Sequence, residues 1–332
     1  MKKFKMLMGL VLAALVAVAF LPDCYAKAKV KYPEKTVSII CPFSAGGGTD
    51  LVSRAVAEVA KGYLNQSVIV ENRTGGAGII GLTTGMNAKP DGYTLTTLTI
   101  ELITLPQMGL APAEFTYKNF IPIGLANVEA SAITVKADSP FNSMDDFIKY
   151  AKANPNKLKV GNSGTGAIWH LATIGLEMKT GAKFLHIPFQ EGAAQATTAL
   201  LGGHIDAVAV SAPEVAQYVA AGKLKILGIA AEKRLASFPK VKTFKEQGID
   251  LVISCFRGFG IPKDTPAEVT KVIQADFWKA IKDPKLKGLL EKASLTYVPM
   301  TGKEFGKMMD EQNVLFKEIT DQYKAQHQKA KE

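Results

Sequence analysis

Three observations predict an α/β protein with mostly parallel sheets covered on both faces. Strand patterns alternate with helix patterns along most of the chain. Glycine-rich turns stand where strands hand over to helices. The 332 residues are 47% hydrophobic and 21% charged, which is globular composition at a length sufficient for two domains.

The chain begins with an export pattern. Lys2, Lys3 and Lys5 precede the apolar run Met6 to Leu21, and Cys24-Tyr25-Ala26 places small residues for cleavage before Lys27. Residues 1–26 therefore read as a signal peptide. Leu21-Pro22-Asp23-Cys24 resembles a lipobox, which makes a lipid anchor at Cys24 the lesser alternative, and the apolar run is short for a membrane span. Of the formal charge of +10, this segment carries +2. The remaining lysines are dispersed, without a nucleic-acid motif, and a basic surface suits an anionic ligand. Cys41 and Cys255 lie in apolar stretches without ligand-spaced neighbours, so they read as buried thiols and not as a metal or disulfide framework.

Thr36 to Cys41 is the first predicted strand, followed by Ser44-Ala45-Gly46-Gly47-Gly48-Thr49-Asp50. Thr49 or Asp50 is placed to cap a helix whose buried face is Val52, Ala55, Val56, Val59 and Tyr63. Val68 to Val70 is a strand, and Thr74-Gly75-Gly76-Ala77-Gly78 a second glycine turn before a short helix at 79–87. Tyr93 to Thr97 is a strand, 105–120 reads as irregular, and Ile121 to Thr134 reads as extended. Ser143 and Asp146 form a capping pair.

Leu158 to Gly161 opens the third turn, Asn162-Ser163-Gly164-Thr165-Gly166, and a helix carrying His170. Further strands are expected at 184–188, 206–210 and 224–230, with turns at Gln190-Glu191-Gly192 and Ser211-Ala212-Pro213-Glu214. Residues 251–260 look extended. Thr265, Pro266 and Glu268 start a helix, Asp283-Pro284 breaks it, and Thr301 with Glu304 caps a long terminal one.

The three glycine turns share one property. Unpartnered N–H groups at a helix N-terminus attract anions, and glycine allows close backbone approach. Each turn alone reads equally well as a tight connection, but three of them make a clamp gripping a carboxylate or phosphate. Gly76 to Gly81 spells G-x-G-x-x-G, yet it follows its strand at Val70 too distantly for a dinucleotide fingerprint, so no cofactor is expected. The only histidines are His170, His186, His204 and His327. Ser163 near His170 lacks a nucleophile elbow, so no catalytic residue is assigned and an exported hydrolase is the weaker reading.

Taken together, P-F-S-A-G-G-G-T-D (Pro42 to Asp50), V-E-N-R-T-G-G-A-G (Val70 to Gly78), P-D-G-Y-T-L (Pro90 to Leu95) and G-N-S-G-T-G (Gly161 to Gly166) resemble the periplasmic solute receptors of tripartite tricarboxylate transporters, the Bug-type receptors. H-I-P-F-Q-E-G (His186 to Gly192), L-L-G-G-H-I-D (Leu200 to Asp206), A-G-K-L-K-I-L (Ala221 to Leu227) and P-K-D-T-P (Pro262 to Pro266) continue the likeness over nearly all of the mature chain.

The resemblance implies an α/β, two-lobed periplasmic binding protein fold, type II-like, with the ligand cleft between lobes. One lobe would be 28–128 plus 252–332 and the other 129–251. It implies a non-enzymatic, monomeric receptor that takes a small organic anion, a di- or tricarboxylate, to a large and a small membrane subunit. Ligand contacts are implied at Ser44, Ala45, Gly46, Gly47, Gly48, Thr49 and Asp50, at Thr74, Gly75, Gly76, Ala77 and Gly78, and at Asn162, Ser163, Gly164, Thr165, Gly166 and His170, with Glu191, Gly192 and Ser211 as further candidates. The family commonly has proline where Ser44 or Ala45 stands, and often an acid at Val210. A receptor of the same fold serving signalling is the competing reading.

Overall fold

The computed structural model describes residues 31–112 and 114–328, so the signal-peptide and lipobox expectations lie outside the described residues. Residues from Pro33 onward pack as one unit. Its strands are β1 (Val37–Cys41), β2 (Val68–Asn72), β3 (Thr94–Leu98), β4 (Phe120–Lys136), β5 (Lys159–Asn162), β6 (Leu185–Pro188), β7 (Ala207–Ser211), β8 (Leu224–Ile229), β9 (Ser254–Pro262) and β10 (Tyr297–Thr301). The strand path runs β2-β1-β3-β9-β4-β7-β5-β6, with β8 and β10 also paired to β4.

The expectation of mostly parallel sheets is corrected to a mixed one. β1 pairs in parallel with β2 and β3, and β5 with β6 and β7. The centre is antiparallel, because β4 and β9 run against their neighbours. β4 is shared between the two halves. Its stretch to Ala130 pairs with β9, and its stretch from Ser131 pairs with β7 and β8. At the changeover three segments are laced together. The Ser131 N–H donates to Ile253 O, the Ala230 N–H to Ser131 O and the Ile253 N–H to Ala230 O, at 3.0, 2.7 and 3.1 Å.

The helices are α1 (Gly48–Leu64), α2 (Ile79–Met86), α3 (Glu101–Gln107), α4 (Met144–Ala153), α5 (Ile168–Thr180), α6 (Ala193–Leu201), α7 (Ala212–Ala220), α8 (Ala267–Lys282), α9 (Pro284–Lys292) and α10 (Gly302–Gln328). α1 buries Val52, Val56, Val59, Ala60 and Leu64, one stripe at helical spacing. Its cap is Gly47, not Thr49 or Asp50, because the Asp50 carboxylate turns back to accept the Gly46 N–H at 3.0 Å. Ser143 caps α4 as expected, accepting the Asp146 N–H at 3.1 Å.

The stretch read as irregular contains α3. All of Glu101 to Leu105 is buried, so there is no polar face to create a period, and Pro106 hides the rest of the signal. Cys41 and Cys255 are free and buried, and burial pushes their thiols up to about 11 and about 12. Among the described residues, no helix is long and apolar enough to cross a membrane.

Candidate functional site

The C-terminal ends of the parallel strands β1, β3, β5 and β7 converge on one cavity. The chain after β1 brings Phe43, Ser44, Gly47, Gly48 and Thr49 to it, and the chain after β3 brings Thr99 and Glu101. From the other half come Ser163, Ile168, Trp169, Ala193 and Glu214. Cys255, Phe256 and Arg257 of β9 complete the wall.

Arg257 is the centre of this wall, and it is only 2% exposed. Its Nε donates to Thr49 Oγ1 at 3.2 Å and its Nη1 to Asn127 Oδ1 at 2.8 Å. Nη2 stands 3.7 Å from Glu214 Oε1. Burial opposes the guanidinium charge, but the acids around it, Glu214, Glu129 and Glu101 among them, more than offset this and raise its pKa. A buried guanidinium with donors left over is a rigid fork for a carboxylate.

Two carboxylates of the protein already sit on helix N-termini. Glu214 Oε1 accepts the Gly48 N–H at the start of α1, at 2.9 Å. Its Oε2 accepts the Ser211 N–H and hydroxyl, closing a capping box on α7. Glu101 Oε1 accepts the Ile168 N–H at the start of α5, at 3.1 Å. Each helix is thus capped by an acid from the opposite half of the sheet. Burial raises the Glu101 pKa, against the pull of the Ile168 N–H and the Arg257 charge. Burial likewise raises that of Glu129, which accepts from Asn127 Nδ2 and the Thr296 N–H.

The expected residues divide by position. Ser44, Gly47, Gly48, Thr49 and Ser163 line the cavity. Asp50 braces the first turn, accepting from Gly46 N–H, Arg54 Nε and Asn72 Nδ2. Ala45 and Gly46 are exposed on the outer side of that turn.

Gly75, Gly76, Ala77 and Gly78 all take positive φ, and the turn they form after Thr74 meets the other half, where the Ala77 N–H donates to Gln190 O at 3.1 Å. Gly164, at φ +113°, lies against Ala77: a Cβ there would come within 3.0 Å of the alanine methyl. Glu191 O accepts the Ser44 N–H, and Gly192 packs on Phe43 and Ser44. The Gly164 N–H goes to Asn162 Oδ1, and the Gly166 N–H, one residue beyond Thr165, goes to His170 Nδ1 at 3.1 Å. His170 therefore shapes the third turn and stacks edge-on with His186, which is held by Thr173 and Glu177. Ser211 reaches the cavity only through Glu214.

Sequence reasoning missed Arg257, Glu101, Glu214, Phe43 and Trp169. A signal existed for two of them. Arg257 stands inside the apolar run of β9 and Glu101 inside Leu98 to Leu105, and a charge in a buried run needs a reason.

The bracing of the first turn is testable. Burial alone would raise the Asp50 pKa, but the bonds from Arg54, Gly46 and Asn72 together hold it below the usual range. Asp50→Asn is expected to cost about 2 kcal/mol, as for hydrogen bonds to a charged group. Because the folded pKa is lowered, the stability is present above the unfolded value of about 3.9 and is lost as pH falls through the folded one. Urea melts from neutral pH to about pH 2 should show the gap between the two proteins closing in acid. A gap independent of pH would refute the charged role.

Comparison with known proteins gives a consistent picture. The family model described as "Tripartite tricarboxylate transporter family receptor" matches residues 52–324. A Cupriavidus necator protein named "UPF0065 protein in gbd 5'region" is 36% identical over 85% of each chain. A solved TctC solute binding protein from Polaromonas, without ligand, is 41% identical, covers 88% of this chain and 99% of its own, and superposes with a TM-score of 0.65. The periplasmic binding protein BugD is 29% identical over 87% and 98%, with a TM-score of 0.80. Two more distant proteins of Rhodopseudomonas palustris share the fold: MatC with bound malate, at 21% identity, 87% and 100% coverage and a TM-score of 0.80, and Rpa4515 with adipate, at 22%, 87% and 97%, and 0.81.

Proposed function

The chain belongs to the tripartite tricarboxylate transporter receptor family, and from that premise we propose that it captures a small organic acid in the cavity at Arg257 and hands it to a membrane complex. The observation that carries this reading is the buried fork of Arg257, a residue of the cavity wall whose Nη2 stands 3.7 Å from Glu214 Oε1. A ligand carboxylate at this wall receives charge-assisted bonds from the guanidinium and lies at the N-terminal end of α1. Thr49 and Asn127 hold the fork in place, so little ordering is left to do on binding.

The step is binding with closure, without chemistry on the ligand. The lobe expected at 28–128 with 252–332 and the one expected at 129–251 rock about the laced segments at Ser131, Ala230 and Ile253. Two observations support the hinge. Bonds from Ser44 to Glu191 and Gln195, and from Ala77 to Gln190, bridge the lobes as a closed form requires. The unliganded Polaromonas protein is more similar in sequence than BugD but superposes less well, as a rigid-body rotation of lobes would produce. The receptor works in the periplasm as a monomer, and its closed face docks on the large and small membrane subunits.

A thermal-shift screen of organic acids on ligand-stripped protein tests this. An acid at a hundredfold its Kd adds about 2.7 kcal/mol, which at this chain length raises Tm by about 5 °C. The reading fails if no organic acid raises Tm, or if a bound acid is turned over.

A further inference from the structure

We propose that Glu101 sets the ligand class of this cavity: an acid with a carboxylate at one end and a hydrogen-bond donor at the other, with dianions excluded. This rests on the reading of the cavity as an acid receptor. The cavity has two unlike poles. One is Arg257 with the start of α1. The other is the start of α5, where Glu101 and Ser163 share the wall with Trp169. Here Ser163 Oγ, on the wall, is buried without a hydrogen-bond partner among the described residues. Such an orphan is costly unless a ligand meets it.

Charge decides what the second pole accepts. The charged and titratable groups around Glu101 are Arg257 and Cys255 from β9, Glu214 from α7 and Glu129 from β4, with His170 further along α5. One guanidinium thus faces three carboxyl groups. A first ligand carboxylate finds Arg257. A second would lie beside Glu101, and two carboxylates sharing one site cannot both stay ionised. An amide, hydroxyl or ammonium donates to Glu101 without that conflict. A dicarboxylate enters only as its monoanion, with one proton held between its far carboxyl and Glu101.

The test compares acids of equal length by titration calorimetry: succinate against succinamate, and adipate against adipamate, at about pH 8 and again at about pH 5.5, where carboxyl groups take up protons more readily. The monoamide is expected to bind at least about tenfold tighter at the higher pH, the cost of roughly one unit of proton uptake. The gap should narrow at the lower pH. In Glu101→Gln it should vanish, since the amide can both accept and donate. The wild-type panel carries the test even if that variant folds poorly. A diacid binding as tightly as its monoamide at about pH 8 overturns the proposal, as does a gap that Glu101→Gln leaves intact. A pH effect shared equally by acid and amide, as titration of His170 would give, also overturns it. If no member of either pair binds, the same comparison is made between the diacid that gives the largest Tm shift in the thermal-shift screen and its monoamide; no diacid-to-monoamide gap there overturns the proposal, and only a screen without any binding acid overturns the receptor reading.

Discussion

Arg257→Met is expected to weaken acid binding strongly and to lower Tm by about 7 °C. Methionine keeps most of the volume, so packing changes little and charge changes most. Removing one partner of a buried ionic cluster costs about 3–5 kcal/mol, because the remaining charges stay buried without compensation. In a chain of this length each kcal/mol is worth about 1.5–2 °C. Glu214 and Glu129 would be left facing each other's charge, with Asn127 and Thr49 losing their donor. Loss of the fork to the ligand carboxylate weakens binding by at least about thirtyfold, on the scale of about 2–5 kcal/mol for a truncated charge pair.

The pH dependence has a definite sign. Burial raises the folded pKa of Glu101 and Glu129, and loss of the guanidinium removes a charge that opposes this, so the deficit is full above their folded pKa and fades as pH falls toward the unfolded value of about 4.3. Denaturant melts of both proteins across acid pH measure the difference. Arg257→Lys separates charge from shape: it restores part of the stability but not the bidentate grip, leaving binding at least about tenfold weaker. Wild-type affinity in the methionine variant would remove Arg257 from the site.

How much of this was legible in the chain depends on whether a feature is local. The capping bonds at Ser143 and at Thr301 with Glu304 involve residues three apart, and the sequence pattern reads directly onto them. The glycine turns were legible for a similar reason, since a turn between strand and helix needs positive φ where Gly75, Gly76 and Gly78 stand. The crossing of β4 was not. Residues 120–136 read as extended, but nothing in them tells that Ala130 pairs with Ser254 while Ser131 pairs with Ser211.

The site was half legible. Its frame, the turns at 44–50 and 162–166, could be placed from strand ends. Its chemistry could not, because Arg257 meets Thr49 across 208 positions and Glu214 meets Gly48 across 166. Long-range pairing also changes how the frame works. The Gly48 amide, expected to be free for a ligand, is held by an acid from the opposite half, and so is the Ile168 amide at the head of the helix after the third turn. Grip therefore passes from the backbone, as read from glycine content, toward one guanidinium.

Gly48 supplies the sharpest discrimination between those two pictures, and Gly48→Ala is expected to weaken binding by more than about tenfold while costing about 1–3 kcal/mol of stability, the usual range for an overpacked core. Gly48 does not take positive φ, so glycine is needed there for space and not for conformation. An added Cβ would come within 2.5 Å of Arg257 Nη2 and 2.8 Å of its Cζ. The arginine cannot swing aside cheaply, since Nε and Nη1 are tied to Thr49 and Asn127. One methyl group therefore moves the fork off its position, and a shift of a few tenths of an ångström spoils a paired hydrogen bond.

Gly47→Ala makes the contrast. Gly47 has an ordinary φ of −77°, and its Cβ would reach Ser44 O at 3.4 Å, a normal contact. Exchanging glycine for alanine at a helix cap costs roughly 1 kcal/mol, and the fork stays put. If the turn grips a ligand by backbone flexibility, both alanines weaken binding alike. If it serves to let Arg257 approach α1, only the alanine at 48 does. Calorimetric titration of one acid against both variants decides the matter, and equal losses would return the grip to the backbone.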